Sequence, residues 1–189
     1  MSGKKSFFES VSPKVNFPEL EEKILKFWKK EKIFERSVEE RPKNKKWTFL
    51  DGPPFVTGMP HYGSLLSSLP KDLFGRYWTM KGYYVRRVWG WDGHGLPIEN
   101  KVENKLGIKS KKEIEEKIGV KKFIDECKIY VSETSSEWEW YVDHIGRWVD
   151  FKNAYKTWDR DYMESVMWVF KTMYDKGYIY RGLRVSLYC

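Results

Sequence analysis

Two short stretches of this sequence concentrate residue types that can hold a charged small molecule. The first is Gly52-Pro-Pro-Phe-Val-Thr-Gly-Met-Pro-His-Tyr-Gly-Ser, ending at Ser64. It leads from an apolar run into a helical pattern, so free N–H groups and the positive end of a helix dipole would suit a phosphate there. His61 could donate hydrogen bonds to phosphoryl oxygens, and Gly63 would let a flat ligand approach the backbone. An ordinary strand-to-helix turn with a surface histidine is the competing reading, and a lone His-x-Gly favours it. The second stretch is Gly90-Trp-Asp-Gly-His-Gly-Leu-Pro. Asp92 could hold an ammonium group, with Trp91 walling an apolar pocket beside it and His94 following. Taken alone, this loop reads more readily as a helix-capping Asp with a packed Trp. Both loops together, in that order, shift the balance toward a binding site.

The elements around the loops must position them. Trp47-Thr-Phe-Leu ends abruptly at Asp51-Gly-Pro-Pro, the pattern of a strand feeding a tight loop. Leu65, Leu66, Leu69, Leu73, Phe74 and Tyr77 then predict a helix, which Pro70 disturbs, since a proline inside a helix costs about 3 kcal/mol or forces a kink. Residues 83–89 predict a second strand running into loop two. Strand, loop, helix and strand make a βαβ unit, hence a parallel sheet with a right-handed crossover. Ligands of such sheets bind beyond the carboxyl ends of the strands, where both loops fall.

Upstream, residues 18–28 predict a helix with Pro18 in its first turn and Leu20, Ile24, Phe27 and Trp28 on one stripe. Downstream, residues 100–122 carry eight Lys against four Glu and read as solvated helices and turns. Residues 122–148 are helical in pattern. The span 161–176 is the clearest helix, with Met163, Val166, Met167, Phe170, Met173 and Tyr174 on one stripe and Gly177 to end it. Tyr178, Tyr180, Leu183, Val185 and Leu187 suggest a closing strand, and a chain that stops within it suggests a fragment.

Composition bounds the class. The 189 residues include 10 Trp, 12 Tyr and 11 Phe, too many large side chains for a disordered chain. The net charge of +8 favours a polyanionic partner, although the Lys-rich span serves equally as a solvated face. Cys127 and Cys189 give no disulfide framework, which points to a reducing cytoplasm. No apolar run approaches ~18 residues, and residues 1–8 lack the apolar core of a signal peptide. Trp138, Trp140, Trp148 and Trp168 read as core and interface, His144 as a satisfied structural histidine and Cys127 as a small apolar residue.

Residues 51–99 resemble the first half of a class I aminoacyl-tRNA synthetase catalytic domain, most closely the isoleucyl family of the archaeal and eukaryotic type. Loop one is similar to that family's G-P-P-x-x-x-G-x-P-H-x-G-H signature, and Lys71-Asp72 matches the K-D pair after it. Gly90-Trp-Asp-x-His-Gly-Leu-Pro-Ile-Glu resembles the isoleucyl form more than the valyl or leucyl ones. Phe27-Trp, Gly146-Arg-Trp-Val-Asp and Tyr162-Met-Glu-Ser extend the match over nearly the whole chain. The resemblance implies an α/β fold, the first half of a Rossmann-type parallel-sheet catalytic domain with an N-terminal helical extension and a further helical region. The extension would span 1–45, the half-domain 46–184, and the start of an editing insertion 185–189. It implies activation of isoleucine with ATP, carried as Mg-ATP, and transfer to tRNA(Ile) by a full-length, monomeric cytoplasmic parent. His61 and Ser64 would be catalytic, and Gly52, Pro54, His61, Gly63 and Ser64 would contact ATP. Pro53, Trp91 and Asp92 would contact isoleucine, with Asp92 on its ammonium, and no residue here would bind a metal. Zinc would belong only to the part downstream of Cys189.

The chain departs from the family at three places. Ser64 replaces the second signature histidine, leaving one weaker neutral donor. Pro70 falls inside the helix, and Gly93 varies loop two. The second signature, K-M-S-K-S, is absent, and Met1-Ser-Gly-Lys-Lys-Ser resembles it only by coincidence. A non-catalytic nucleotide- or RNA-binding paralogue and a valine-specific synthetase therefore stay open.

Overall fold

The computed structural model describes residues 13–187. The expectations placed on residues 1–8 and on Cys189 lie outside them. Asn16 accepts a hydrogen bond from the Glu19 N–H and Pro18 sits in the first turn, so α1 (Phe17–Lys30) begins where its capping residues place it. Lys32, with φ near +50°, turns the chain into α2 (Ile33–Glu39). The helix α1 docks through Trp28, edge-on to Trp148 at 5.2 Å, and through an ion pair from Lys29 to Asp143.

Helix α3 (Tyr62–Met80) continues through Pro70 without a break. Pro70 and Leu66, whose carbonyl loses its partner, are both exposed, so water can bond that carbonyl. The Lys71-Asp72 pair divides its work between two neighbours. Lys71 reaches back to loop one, while Asp72 accepts from the Trp148 N–H at 2.9 Å and from Arg76 at 2.6 Å. Arg76 donates to the Gly146 carbonyl and stacks over Trp148 at 3.9 Å, fixing the 146–148 segment against α3.

The two strands are β1 (Val88–Trp91) and β2 (Asp150–Lys156), paired in parallel. Register runs Val88 to Asp150, then Gly90 to Tyr155 and Trp91 to Lys156, with an irregularity between. Asp150 makes that irregularity by accepting from the Asn153 backbone and side-chain N–H groups. Strand β2 was not read from the sequence. The strand expected at 47–50 is present only as an extended segment, joined in parallel by the bridge of Lys46 with Tyr84. The strand expected at 83–89 forms its ladder later, from Val88. A ladder needs a second strand alongside, and periodicity in one segment does not supply it.

Between the strands lie α4 (Leu96–Leu106), a short α5 (Lys111–Glu113) running into a π-helical turn (Ile114–Ile118), and α6 (Val120–His144). This corrects the reading of 100–122 as solvated, because Val102 and Ile114 join the core with Ile98, Phe123, Val131 and Val142. The lysines face water while the sparse apolar residues pack inward. At the centre are Trp89, Trp91 and Trp138, with ring centroids 5.4 to 6.1 Å apart, and Phe151 beside them. Trp140 and Trp168, by contrast, are exposed. Cys127 is half-buried against the core, its thiol pushed up by burial and then by Glu99, Glu103 and Glu126. His144 is satisfied as expected, bonding the Trp140 carbonyl at 2.9 Å and stacking on its ring.

Helix α7 (Arg160–Asp175) matches its expected span, but Val166, Met167, Phe170 and Tyr174 lie exposed along it. The closing strand expected at 178–187 does not form. Tyr178, Tyr180, Leu183, Val185 and Leu187 are exposed, and no described segment pairs with them. Among the described residues no helix is long and apolar enough to cross a membrane.

Candidate active site

His61 is the residue that starts α3. Its backbone is extended, and its Nδ1 accepts from the Gly63 N–H at 3.1 Å. Ser64 Oγ accepts from the His61 N–H at 3.3 Å, so the two side chains cap the helix reciprocally. An imidazole that accepts at Nδ1 carries its proton on Nε2, which leaves an N–H donor for a ligand. Ser64 retains its hydroxyl proton to donate as well. A Cβ at Gly63 would lie 2.9 Å from the His61 ring, so a larger residue there would displace the imidazole from its cap position. The residues expected to meet phosphate are thus the cap of the helix whose dipole would attract it.

Loop one is tied down along its length. The Asp51 carbonyl accepts from the Tyr155 hydroxyl at 2.9 Å, the Gly52 carbonyl from Lys71 at 2.8 Å and the Gly58 carbonyl from the Trp138 indole at 2.9 Å. Loop two provides the central anchor: the Asp92 N–H donates to the Pro54 carbonyl and the Val56 N–H to the Asp92 carbonyl, each at 3.0 Å. The two loops singled out by sequence are therefore hydrogen-bonded to one another. The Asp92 carboxylate, half-buried, has no hydrogen bond or ion pair among the described residues. Tyr155 senses its charge: burial first, then Tyr162, Asp51 and Asp92, push the phenol up.

Trp91 differs from the expectation of a pocket wall. At 2% exposed it belongs to the aromatic core, because the strand that presents Asp92 outward turns Trp91 inward. Gly93 is explained by packing, since a Cβ there would meet the Trp158 ring at 2.3 Å. Gly90 likewise leaves room for Tyr155, at 2.2 Å from a Cβ. His94 is exposed at the start of α4.

A cleft of about 200 Å³ brings together Pro54, His61, Gly63 and Ser64 with Lys71 and Arg147. Gly52, Pro53, Asp92 and Trp91 do not line it. In the sequence Lys71 and Arg147 stand out only as parts of the K-D and G-R-W-V-D motifs. They share Asp51, whose side chain is 3% exposed: Lys71 approaches one oxygen at 2.6 Å and Arg147 holds the other. Nothing local in the sequence marks Asp51 as buried. The pairing crosses 96 residues to Arg147.

The family described as "tRNA synthetases class I (I, L, M and V)" matches residues 23–189. The chain is 51% identical over 175 residues to isoleucine–tRNA ligase 2 of Pseudomonas fluorescens, covering 93% of this chain and 17% of that protein. It is 54% identical over 173 residues to the isoleucine–tRNA ligase of Wolbachia pipientis wMel, covering 92% and 16%. It therefore spans about a sixth of the length of these curated relatives. Its fold is similar to the Agrobacterium radiobacter K84 agnB2 LeuRS in a ternary complex with tRNA and LeuAMS, with a TM-score of 0.60 at 21% identity, over 83% of this chain and 17% of that one.

Proposed function

The chain belongs to the class I tRNA synthetase family, and on that premise we propose that its full-length parent is an isoleucine–tRNA ligase. The parent would join isoleucine to ATP as isoleucyl-adenylate with release of pyrophosphate, then pass the acyl group to tRNA(Ile). The observation that carries this reading is the direct pairing of the two loops through Pro54, Val56 and Asp92, in a chain more than half identical to isoleucine–tRNA ligases. In-line attack of a carboxylate on the α-phosphorus needs positioning and charge neutralisation rather than a covalent catalyst. His61, through Nε2–H, and the Ser64 hydroxyl are the donors proposed for the phosphoryl oxygens. The backbone of Gly52, Pro54 and Gly63 would pass close to the nucleotide. Asp92 would take the isoleucine ammonium, Pro53 would border its side chain, and Trp91 would support that pocket from the core. Magnesium would arrive with ATP as part of the substrate.

In domain terms, residues 1–45 are proposed as a helical extension, 46–184 as the first half of the catalytic domain and 185–189 as the start of an editing insertion. A monomeric, cytoplasmic parent fits this reading. The test is exchange of labelled pyrophosphate into ATP by the parent, with isoleucine, valine or leucine supplied. Exchange with isoleucine at the lowest amino-acid concentration is expected, and preference for valine would replace the reading by the valyl one. Because Ser64 offers one neutral donor where the family signature has its second histidine, a second reading is a non-catalytic nucleotide-binding paralogue. ATP binding without any amino-acid-dependent exchange would select it.

A further inference from the structure

Arg147 has no task in the reaction just described. Its side chain is 5% exposed, and a guanidinium so placed has lost its water and needs anions and aligned acceptors in return. It has the Asp51 carboxylate, the Ser68 hydroxyl at 3.5 Å and the Trp89 ring face at 4.8 Å. Asp51, drier still at 3% exposed, also pairs with Lys71. Two cations thus share one carboxylate, which leaves this cluster one positive charge in excess. Both cations line the cleft with His61 and Ser64. Lys71 is the outer of the two at 26% exposed, and it lies seven residues beyond Ser64, two turns along the same face of α3.

We propose that the Arg147–Asp51–Lys71 cluster is a second phosphate-binding element of the cleft, in which Lys71 contacts the polyphosphate of ATP and Arg147 is a positioning residue. Arg147 shares the Asp51 carboxylate, so Lys71 is only partly neutralised by it, and beyond Asp51 at 2.6 Å and the Gly52 carbonyl at 2.8 Å the ammonium has a third N–H for a phosphoryl oxygen. The element answers to charge, not to base or sugar. It rests on the reading of this cleft as a nucleotide site.

The experiment measures equilibrium binding of ATP and of adenosine to the full-length parent, with isoleucine-dependent exchange run alongside. Lys71→Met is expected to weaken ATP about tenfold or more while adenosine changes less than twofold. Arg147→Met should do the same, because Asp51 then falls wholly to Lys71, and Arg147→Lys should recover part of the loss. Adding Asp51→Asn to Arg147→Met should restore ATP affinity toward wild type, since it frees Lys71 again. A structural role would make that double variant worse than either single one. Equal weakening of ATP and adenosine, or no recovery in the double variant, would overturn the proposal. If Arg147→Met does not fold, the ATP and adenosine affinities of Lys71→Met decide alone. Wild-type ATP binding without exchange would sink the ligase reading and leave this comparison intact, whereas absence of ATP binding would sink both.

Discussion

The N–H and carbonyl of Asp92 bond to loop one, while its carboxylate has no bonded partner among the described residues. Asparagine would keep the backbone pairing and the side-chain shape and remove only the charge. Asp92→Asn in the parent should therefore weaken isoleucine and valine alike, at least about a hundredfold if the ammonium is desolvated on binding, with ATP binding nearly unchanged. Equilibrium binding of the three ligands checks this, and unaltered isoleucine affinity would show that loop two is no amino-acid site. Ser64→His tests the neighbouring position. A charge-assisted donor restored at the phosphates should raise the adenylation rate roughly ten- to hundredfold. The same change removes a hydroxyl that bonds the His61 N–H, at a cost of about 1 kcal/mol to the start of α3. Rate and thermal stability should thus move in opposite directions. A lower rate would mean that the serine cap holds His61 in its working orientation.

Among the elements, β1 and β2 approach so closely that Gly90 sits against the Tyr155 ring. Alanine at 90 would push that ring away, and with it the hydroxyl bonded to the Asp51 carbonyl. Gly90→Ala should cost about 1–3 kcal/mol in chemical denaturation, relieved when Tyr155→Leu is added. Equal stability of Gly90→Ala and wild type would refute the contact. Between α2 and α3, Arg87 is 3% exposed, with one bond to Ser37 at 3.0 Å and its carbon over the Phe34 ring at 5.1 Å. Burial lowers its pKa to about 10, against some support from Asp72. The unfolded chain holds that proton to higher pH, so above about pH 10 unfolding takes up a proton. Wild-type stability should accordingly rise relative to Arg87→Met from pH 10 upward and be flat relative to it below. Parallel curves for the two proteins across that window would mean that Arg87 keeps its ordinary pKa.

At the scale of the whole molecule, large apolar side chains lie exposed among the described residues. Leu50 is 87% exposed beside a hollow of about 730 Å³ lined by Trp47, Phe49, Tyr155 and Tyr162, and the apolar residues of α7 lie open to solvent. In a doubly wound sheet, the nucleotide crevice forms between two halves. The 189-residue chain alone should therefore support less than about a tenth of the parent's isoleucine-dependent exchange. Its open apolar surface should also bind a hydrophobic dye that the parent does not. Exchange at the parent's rate would mean that these residues already hold a complete site.

By itself the sequence determined the elements whose causes are local. Caps and periodicity placed α1, α3 and α7, and glycine and proline marked both loops, because turn chemistry and helical spacing act over a few residues. The order of the two loops also carried the resemblance to the family that the chain belongs to. Tertiary structure alone decided what depends on partners distant in the chain. Strand β2 became a strand because β1 offered it a ladder, and 178–187 did not because no described segment did. Trp91 went to the core and Asp92 to the loops because a strand sends neighbours to opposite faces. The cations of Lys71 and Arg147 meet at Asp51 only because α3 clamps the 146–148 segment beside loop one. Charges so far apart along the chain leave no local pattern, and their energy depends on the water that folding removes.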